Sequence, residues 1–257
     1  MSKKRIVLKV GSAVLTQDGK IAHRRLDNLV VFISKLKEKY EVILVSSGAV
    51  AAGFTELNLD KKIVANKQAL ASIGQPLLMH IYRREFAKYG IIPSQVLLEA
   101  TLFKDEKRLS HARDAINTLL KADVVPIINE NDVTAVDELV FGDNDQLAAY
   151  ITHYFDAELL TILTDIDGYY DKNPHEDKSA KLLKEVNCIG PKDLQAKHSA
   201  NSEFATGGIV TKLKAADFLI KNGGAMFLSS GFNLAYAKQY LLNDNHVGGT
   251  LFKSFED

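Results

Sequence analysis

Six short clusters of polar and charged side chains in this chain of 257 residues stand each at the end of an apolar run or the start of a helical pattern. Four follow apolar runs: Lys9-Val10-Gly11-Ser12, Ser46-Ser47-Gly48-Ala49, Asn129-Glu130-Asn131-Asp132 and Thr164-Asp165-Ile166-Asp167-Gly168. Two open helical patterns: Gly142-Asp143-Asn144-Asp145 and Ala205-Thr206-Gly207-Gly208-Ile209-Val210-Thr211-Lys212. The last has the parts of a phosphate cradle. Its glycines let backbone N–H groups approach phosphate oxygens, the helix start adds positive potential, and Lys212 adds a full charge. Lys9 sits in a run apolar on both sides, where a charge needs an anionic partner such as a phosphate. Lysines, backbone amides and carboxylates brought together are what phosphoryl transfer requires.

Each cluster also has a plainer reading. Lys9 alone is compatible with a lysine snorkelling from a strand end, and Ser47-Gly48 with a tight turn. Asp143 fits a helix N-cap with Gln146 as its capping-box partner. Asp165 and Asp167 fit turn formers before Gly168, and Asn129–Asp132 fits a solvated loop. No G-x-x-x-x-G-K-[ST] or G-x-G-x-x-G occurs, against P-loop NTPases, dinucleotide dehydrogenases and protein kinases. The histidines show no H-E-x-x-H spacing, against a His-based zinc hydrolase.

The elements that must carry these clusters alternate along the chain. Strands are expected at 5–10, 42–45, 91–98, 124–128, 159–163, 225–228 and 249–252. Helices are expected at 24–39, 66–89 with a bend at Pro76, 106–121, 143–155, 208–221 and 234–243. Pro126 weakens the 124–128 strand, because proline cannot donate to a ladder. Residues 167–181 read as a loop or hairpin. The alternation predicts βαβ units in an α/β fold, a three-layer αβα sandwich around a mainly parallel sheet. Ligands bind such sheets at the carboxyl ends of the strands, where the clusters fall. No linker divides the chain, so one domain over 1–257 is expected, with two lobes meeting at a cleft.

The 32 basic residues balance the 32 acidic ones, so no bulk positive field draws nucleic acid or a membrane surface. The single cysteine, Cys188, excludes an intramolecular disulfide and a multi-cysteine zinc site. Lys9 interrupts the first apolar run too early for a signal sequence, and no uncharged apolar stretch approaches 18 residues. A soluble cytoplasmic protein is expected.

From about residue 4 to residue 253 the chain resembles the amino acid kinase superfamily and, within it, the glutamate 5-kinases. The resemblance is carried by Val7–Ser12, Val45–Gly53, Ala71–Gln75, Pro126–Asp132, Phe141–Asp145, Leu163–Tyr170 and Thr206–Lys212. It implies transfer of the ATP γ-phosphoryl group to the side-chain carboxylate of L-glutamate, the first step of proline biosynthesis, with Mg²⁺ present. Lys9, Lys212 and Asp145 match catalytic positions. Ser47, Gly48, Asn129, Asp132, Asp143 and Asn144 match the glutamate site. The nucleotide site is matched by Lys9, Gly11, Thr164, Asp165, Thr206, Gly207, Gly208, Ile209, Val210, Thr211 and Lys212; Ile209 stands where methionine is common. The resemblance further implies a glutamate-binding lobe over about 1–157, a nucleotide-binding lobe over about 158–257, a homo-oligomer and feedback inhibition by proline. It ends where the kinase domain of the family ends, so the PUA domain that many members carry is not expected. N-acetylglutamate kinase, aspartokinase or uridylate kinase relatives would share Lys9, the Gly-Gly segment and Lys212. They would lack Asn129-Glu130-Asn131-Asp132 together with Asn144. A non-catalytic nucleotide-binding regulator would not need both lysines and Asp145.

Overall fold

Residues 3–134, 144–174, 176–194 and 208–254 are described by the structure, a computed structural model. The N-terminal half contains β1 (Lys4–Val10), a one-turn helix α1 (Ser12–Leu15), a small hairpin of β2 (Thr16–Gln17) and β3 (Lys20–Ile21), α2 (His23–Lys39) and β4 (Tyr40–Ser46). It continues with α3 (Ala49–Phe54), α4 (Val64–Ala87), β5 (Pro93–Leu98), a 3-10 turn at Ala100–Lys104, α5 (Glu106–Lys121) and β6 (Val125–Glu130). After these come α6 (Asn144–Tyr154), β7 (Leu159–Thr164), β8 (Glu185–Val186) and α7 (Pro191–Leu194). The chain closes with α8 (Gly208–Lys221), β9 (Ala225–Ser230), α9 (Ala235–Asn243) and β10 (Thr250–Lys253).

Eight strands form one sheet in the order β5-β6-β4-β1-β7-β9-β10-β8, parallel at every junction except β9 with β10. Side chains alternate across β1, so Ile6, Leu8 and Val10 pack on one face with α2, α4 and α9. Val7 packs on the other face, against α5, α6 and α8. The result is the expected αβα sandwich. Period two also puts Lys9 on the α5–α6–α8 face.

The chain runs from β1 outward to β4 on one side and later to β7 on the other, which makes β1 the switch point of the sheet. A crevice opens there beyond the carboxyl ends of the strands. Its floor is stitched past the last ladder residues. Ser47 N–H donates to Val10 O at 3.3 Å, Gly11 N–H to Leu163 O at 2.9 Å and Gly231 N–H to Thr164 O at 2.6 Å.

Pro126 lies inside β6, at no cost to the ladder. Val125 and Asn131 donate their N–H groups toward β5, so by alternation Pro126 faces β4. The β4 register begins only at Ile127, after the missing donor. Pro76 likewise lies inside α4, which continues through it as one element. The 167–181 segment is hairpin-like: Tyr170 bridges Leu182, and Leu183 N–H donates to Tyr169 O at 2.8 Å. Helix α3 has a steric reason for its small residues. A Cβ on Gly74 would lie 1.8 Å from Ala49 O, and one on Gly53 1.9 Å from Leu70 O, so α3 and α4 pack backbone to backbone.

Candidate active site

Three ionised side chains meet under the crevice. Lys9 arrives from β1, Asp145 from the first turn of α6 and Lys212 from the second turn of α8. Asp145 Oδ1 is 2.6 Å from Lys9 Nζ, and its Oδ2 is 3.0 Å from Lys212 Nζ. Thr211 Oγ1 donates to the same Oδ2 at 2.9 Å. Exposure is 2% for Lys9, 0% for Asp145 and 5% for Lys212. The anionic partner that Lys9 needs is therefore supplied by the chain itself. Two ammonium groups share one carboxylate, so the three carry +1 together, a setting suited to a further anion. Lys212 sits four residues after Gly208, and its Nζ folds back to donate to Gly208 O at 3.0 Å. Its charge is thus held at the amino end of α8, where first-turn N–H groups have no intrahelical acceptor.

Next to this triad lie most of the residues expected at a nucleotide site. Gly11, two residues after Lys9, lies close to it: a Cβ there would stand 4.0 Å from Lys9 Nζ and 3.9 Å from Thr164 Oγ1. Thr164 ends β7 and donates to Asp165 Oδ1 at 2.8 Å. Gly208, Ile209, Val210 and Thr211 form the first turn of α8, with Ile209 packed against the core. Thr206 and Gly207 lie outside the described residues, as does Asp143. Gln146, expected as the capping-box partner of Asp143, donates to Thr211 O at 3.2 Å and ties α6 to α8.

Ser47, Gly48, Asn129, Asp132 and Asn144 all line one cleft of about 610 Å³. Gly48 takes φ 106°, a left-handed conformation open to glycine, which turns the chain from β4 into α3. Asn144 Nδ2 faces Ser47 Oγ at 3.0 Å, Ser46 O at 3.2 Å and Asn129 Oδ1 at 2.9 Å. Burial holds the Asp132 carboxyl above the usual carboxylate range. Another hollow, of about 650 Å³, runs along the β2–β3 hairpin and holds none of these residues.

Some cleft residues escaped the sequence reading. Lys61 and Lys67 line the same cleft and bring positive charge to it. Gln75 and Gln95 extend the amide contacts: Asn129 Nδ2 donates to Gln75 Oε1 at 3.0 Å, and Gln75 Nε2 to Gln95 Oε1 at 3.1 Å. The buried Tyr82 hydroxyl lies 2.9 Å from Ser46 Oγ and braces the end of β4. The available signal for Gln75 was an amide closing the Ala71–Gln75 motif of α4.

Among the described residues no group of three or more His, Cys, Asp or Glu could hold a metal ion, and no helix is long and apolar enough to cross a membrane.

Comparison with known proteins adds a family assignment. Residues 4–228 match the amino acid kinase family. The chain is similar to a glutamate 5-kinase of Leishmania donovani, 54% identical over 253 residues, covering 98% of this chain and 96% of that one. It is also similar to a glutamate 5-kinase of Wolinella succinogenes, 56% identical and covering 97% of each chain. Among solved structures, a carbamate kinase from Giardia lamblia superposes with a TM-score of 0.66 at 15% identity over 99% of both chains. An isopentenyl phosphate kinase of T. acidophilum gives 0.64 at 16% identity, over 96% of this chain and 99% of that one, a likeness of fold.

Proposed function

The chain belongs to the glutamate 5-kinases of the amino acid kinase family, and from that premise we propose that it phosphorylates L-glutamate on its side-chain carboxylate. ATP supplies the γ-phosphoryl group, and the products are L-glutamyl 5-phosphate and ADP, the first step of proline biosynthesis. The observation that carries this reading is the start of α6. Asn144 reaches into the Ser47–Asn129 cleft while its neighbour Asp145 holds the two lysines. One helix end therefore touches both half-sites, and an acceptor carboxylate in the cleft can meet a phosphoryl group over the lysines.

The attacking group is already an anion, so no general base is needed. What remains is alignment and charge neutralisation in an in-line displacement. In this reading Lys9 and Lys212 take the charge of the phosphoryl oxygens, and Asp145 keeps both ammonium groups aimed. Ser47, Gly48, Asn129, Asp132, Asp143 and Asn144 hold glutamate, with Asp132 opposite its ammonium. Gly11, Thr164, Asp165 and the 206–212 segment hold ATP. The glutamate lobe spans about 1–157 and the nucleotide lobe about 158–257.

Both Asp145 oxygens face lysines and no carboxylate cage lies among the described residues, so these side chains do not form an all-protein magnesium site. Mg²⁺ belongs to this reading as the counter-ion that ATP brings on its phosphates. Homo-oligomerisation, inhibition by proline and a cytoplasmic location complete the proposal.

ADP release measured in parallel with glutamate, aspartate, N-acetylglutamate and UMP tests it. Turnover is expected with glutamate, together with a product that hydroxylamine traps as the hydroxamate. Turnover with another acceptor and none with glutamate overturns it.

A further inference from the structure

Four carboxamides stand head to tail between the cleft and the edge of the sheet. Asn144 Nδ2 donates to Asn129 Oδ1 at 2.9 Å, Asn129 Nδ2 to Gln75 Oε1 at 3.0 Å, and Gln75 Nε2 to Gln95 Oε1 at 3.1 Å. The first three amides each donate to the next along the row toward Gln95, and such chains polarise one another. Asn129 is pinned twice, because its Oδ1 also accepts from Glu130 N–H at 3.0 Å. Turned over, it would set its NH₂ against that backbone donor and against Asn144, and its oxygen against the Gln75 oxygen.

We infer that Gln75 is a positioning residue for glutamate, fixing through Asn129 which atoms of Asn144 and Ser47 face the substrate. The inference rests on the glutamate kinase reading above. With its NH₂ directed at Ser46 O, Ser47 Oγ and Asn129 Oδ1, Asn144 keeps its Oδ1 for an external donor. Among the described residues no donor reaches that oxygen. Ser47 Oγ already accepts from Asn144, which leaves its O–H to donate outward. The cleft then offers an acceptor for the glutamate ammonium and a donor for a carboxylate. Gln75 is not among the residues that line the cleft. The residue is 8% exposed, and its Oε1 accepts the Asn129 NH₂ that the Glu130 N–H bond turns toward it.

The test compares Gln75→Leu with Gln75→Glu in the full chain. Leucine removes the acceptor that Asn129 requires, whereas glutamate keeps it, and the exposed Gln95 amide can rotate to donate to it. Gln75→Leu should raise the KM for glutamate about tenfold, the worth of one contact to a charged group, with the KM for ATP unchanged. The Ki of glutarate, which lacks the ammonium, should move far less, and Gln75→Glu should recover most of the loss. Should Gln75→Leu fail to fold, Gln75→Glu and Gln95→Leu carry the test. Gln75→Glu must then keep a KM for glutamate near the parent's, and Gln95→Leu must raise it without moving that for ATP. Equal changes in both KM values, an unchanged KM for glutamate in Gln75→Leu, or equal damage from leucine and glutamate would overturn the inference. Turnover of glutamate by the parent protein is read separately, so failure of the functional reading is distinguishable.

Discussion

Replacing Asp145 by asparagine removes one negative charge and leaves two buried ammonium groups facing a neutral amide. The three groups go from +1 to +2 at a place where Lys9 and Lys212 are 2% and 5% exposed. Removing one member of a buried pair costs about 3–5 kcal/mol, because the remaining charge is stranded. Asp145 serves two lysines, at 2.6 and 3.0 Å, so the upper part of that range applies. For a domain of this size each kcal/mol moves Tm by about 2–4 °C, and the ligand-free variant should melt roughly 10–20 °C below the parent. An ATP polyphosphate placed over the lysines supplies the missing negative charge, so saturating ATP should raise the variant's Tm by more than the parent's. Catalysis has no such relief: with the lysines no longer bridged and aimed by one carboxylate, kcat should fall about 10³-fold. Calorimetry with and without ATP and a coupled ADP-release assay measure both effects. A variant that melts with the parent, gains no more from ATP and keeps kcat within about tenfold would refute the assigned role of Asp145.

Lys212→Ala should lower kcat by about 10²–10³ with a smaller change in ATP binding, since its ammonium, held at the amino end of α8, meets charge that develops during transfer; near-normal kcat with a much higher KM for ATP would make it a ground-state anchor. Asp132→Asn should raise the KM for glutamate far more than that for ATP. Burial lifts this carboxyl's folded pKa, so the folded state binds the proton more tightly than the unfolded chain, and its ionisation costs stability as pH rises above about 4. The ligand-free asparagine variant should therefore melt no lower than the parent at pH 7, and a clear drop in Tm would contradict this. Gly74→Ala drives a Cβ to within 1.8 Å of Ala49 O and 2.3 Å of Gly53 N, and should cost about 3 kcal/mol or more in denaturant unfolding. Because α3 starts beside Ser47, its KM for glutamate should rise as well.

Lys9 announced itself in the sequence, because a lysine inside Ile6-Val7-Leu8-Lys9-Val10 contradicts its surroundings unless something anionic waits for it. Short apolar runs bounded by polar clusters then carried most of the sheet. Asp145 as that partner was legible only through the family resemblance, since residues 9 and 145 meet through tertiary packing. The small-residue run after Ser47 was ambiguous for a physical reason. Glycine and alanine suit both an anion-binding turn and a close helix contact, and the approach of α4 to Ala49 and Gly53 shows the second use. Gln75 was hidden because α4 is long and its apolar pattern weak, so one buried amide does not stand out. The β2–β3 hairpin, with strands of two residues each, and the single turn α1 are too short for periodicity to register.

The backbone bonds from Ser47 to Val10, Gly11 to Leu163 and Gly231 to Thr164 continue the parallel ladder just past the point where the strands end. They tie four adjacent strands at the rim where substrates meet. Amides tied into the central sheet in this way should exchange with solvent more slowly than those of the flanking elements. Walls and floor then belong to different kinetic regimes. The platform beneath the reacting atoms should then keep its shape from one turnover to the next.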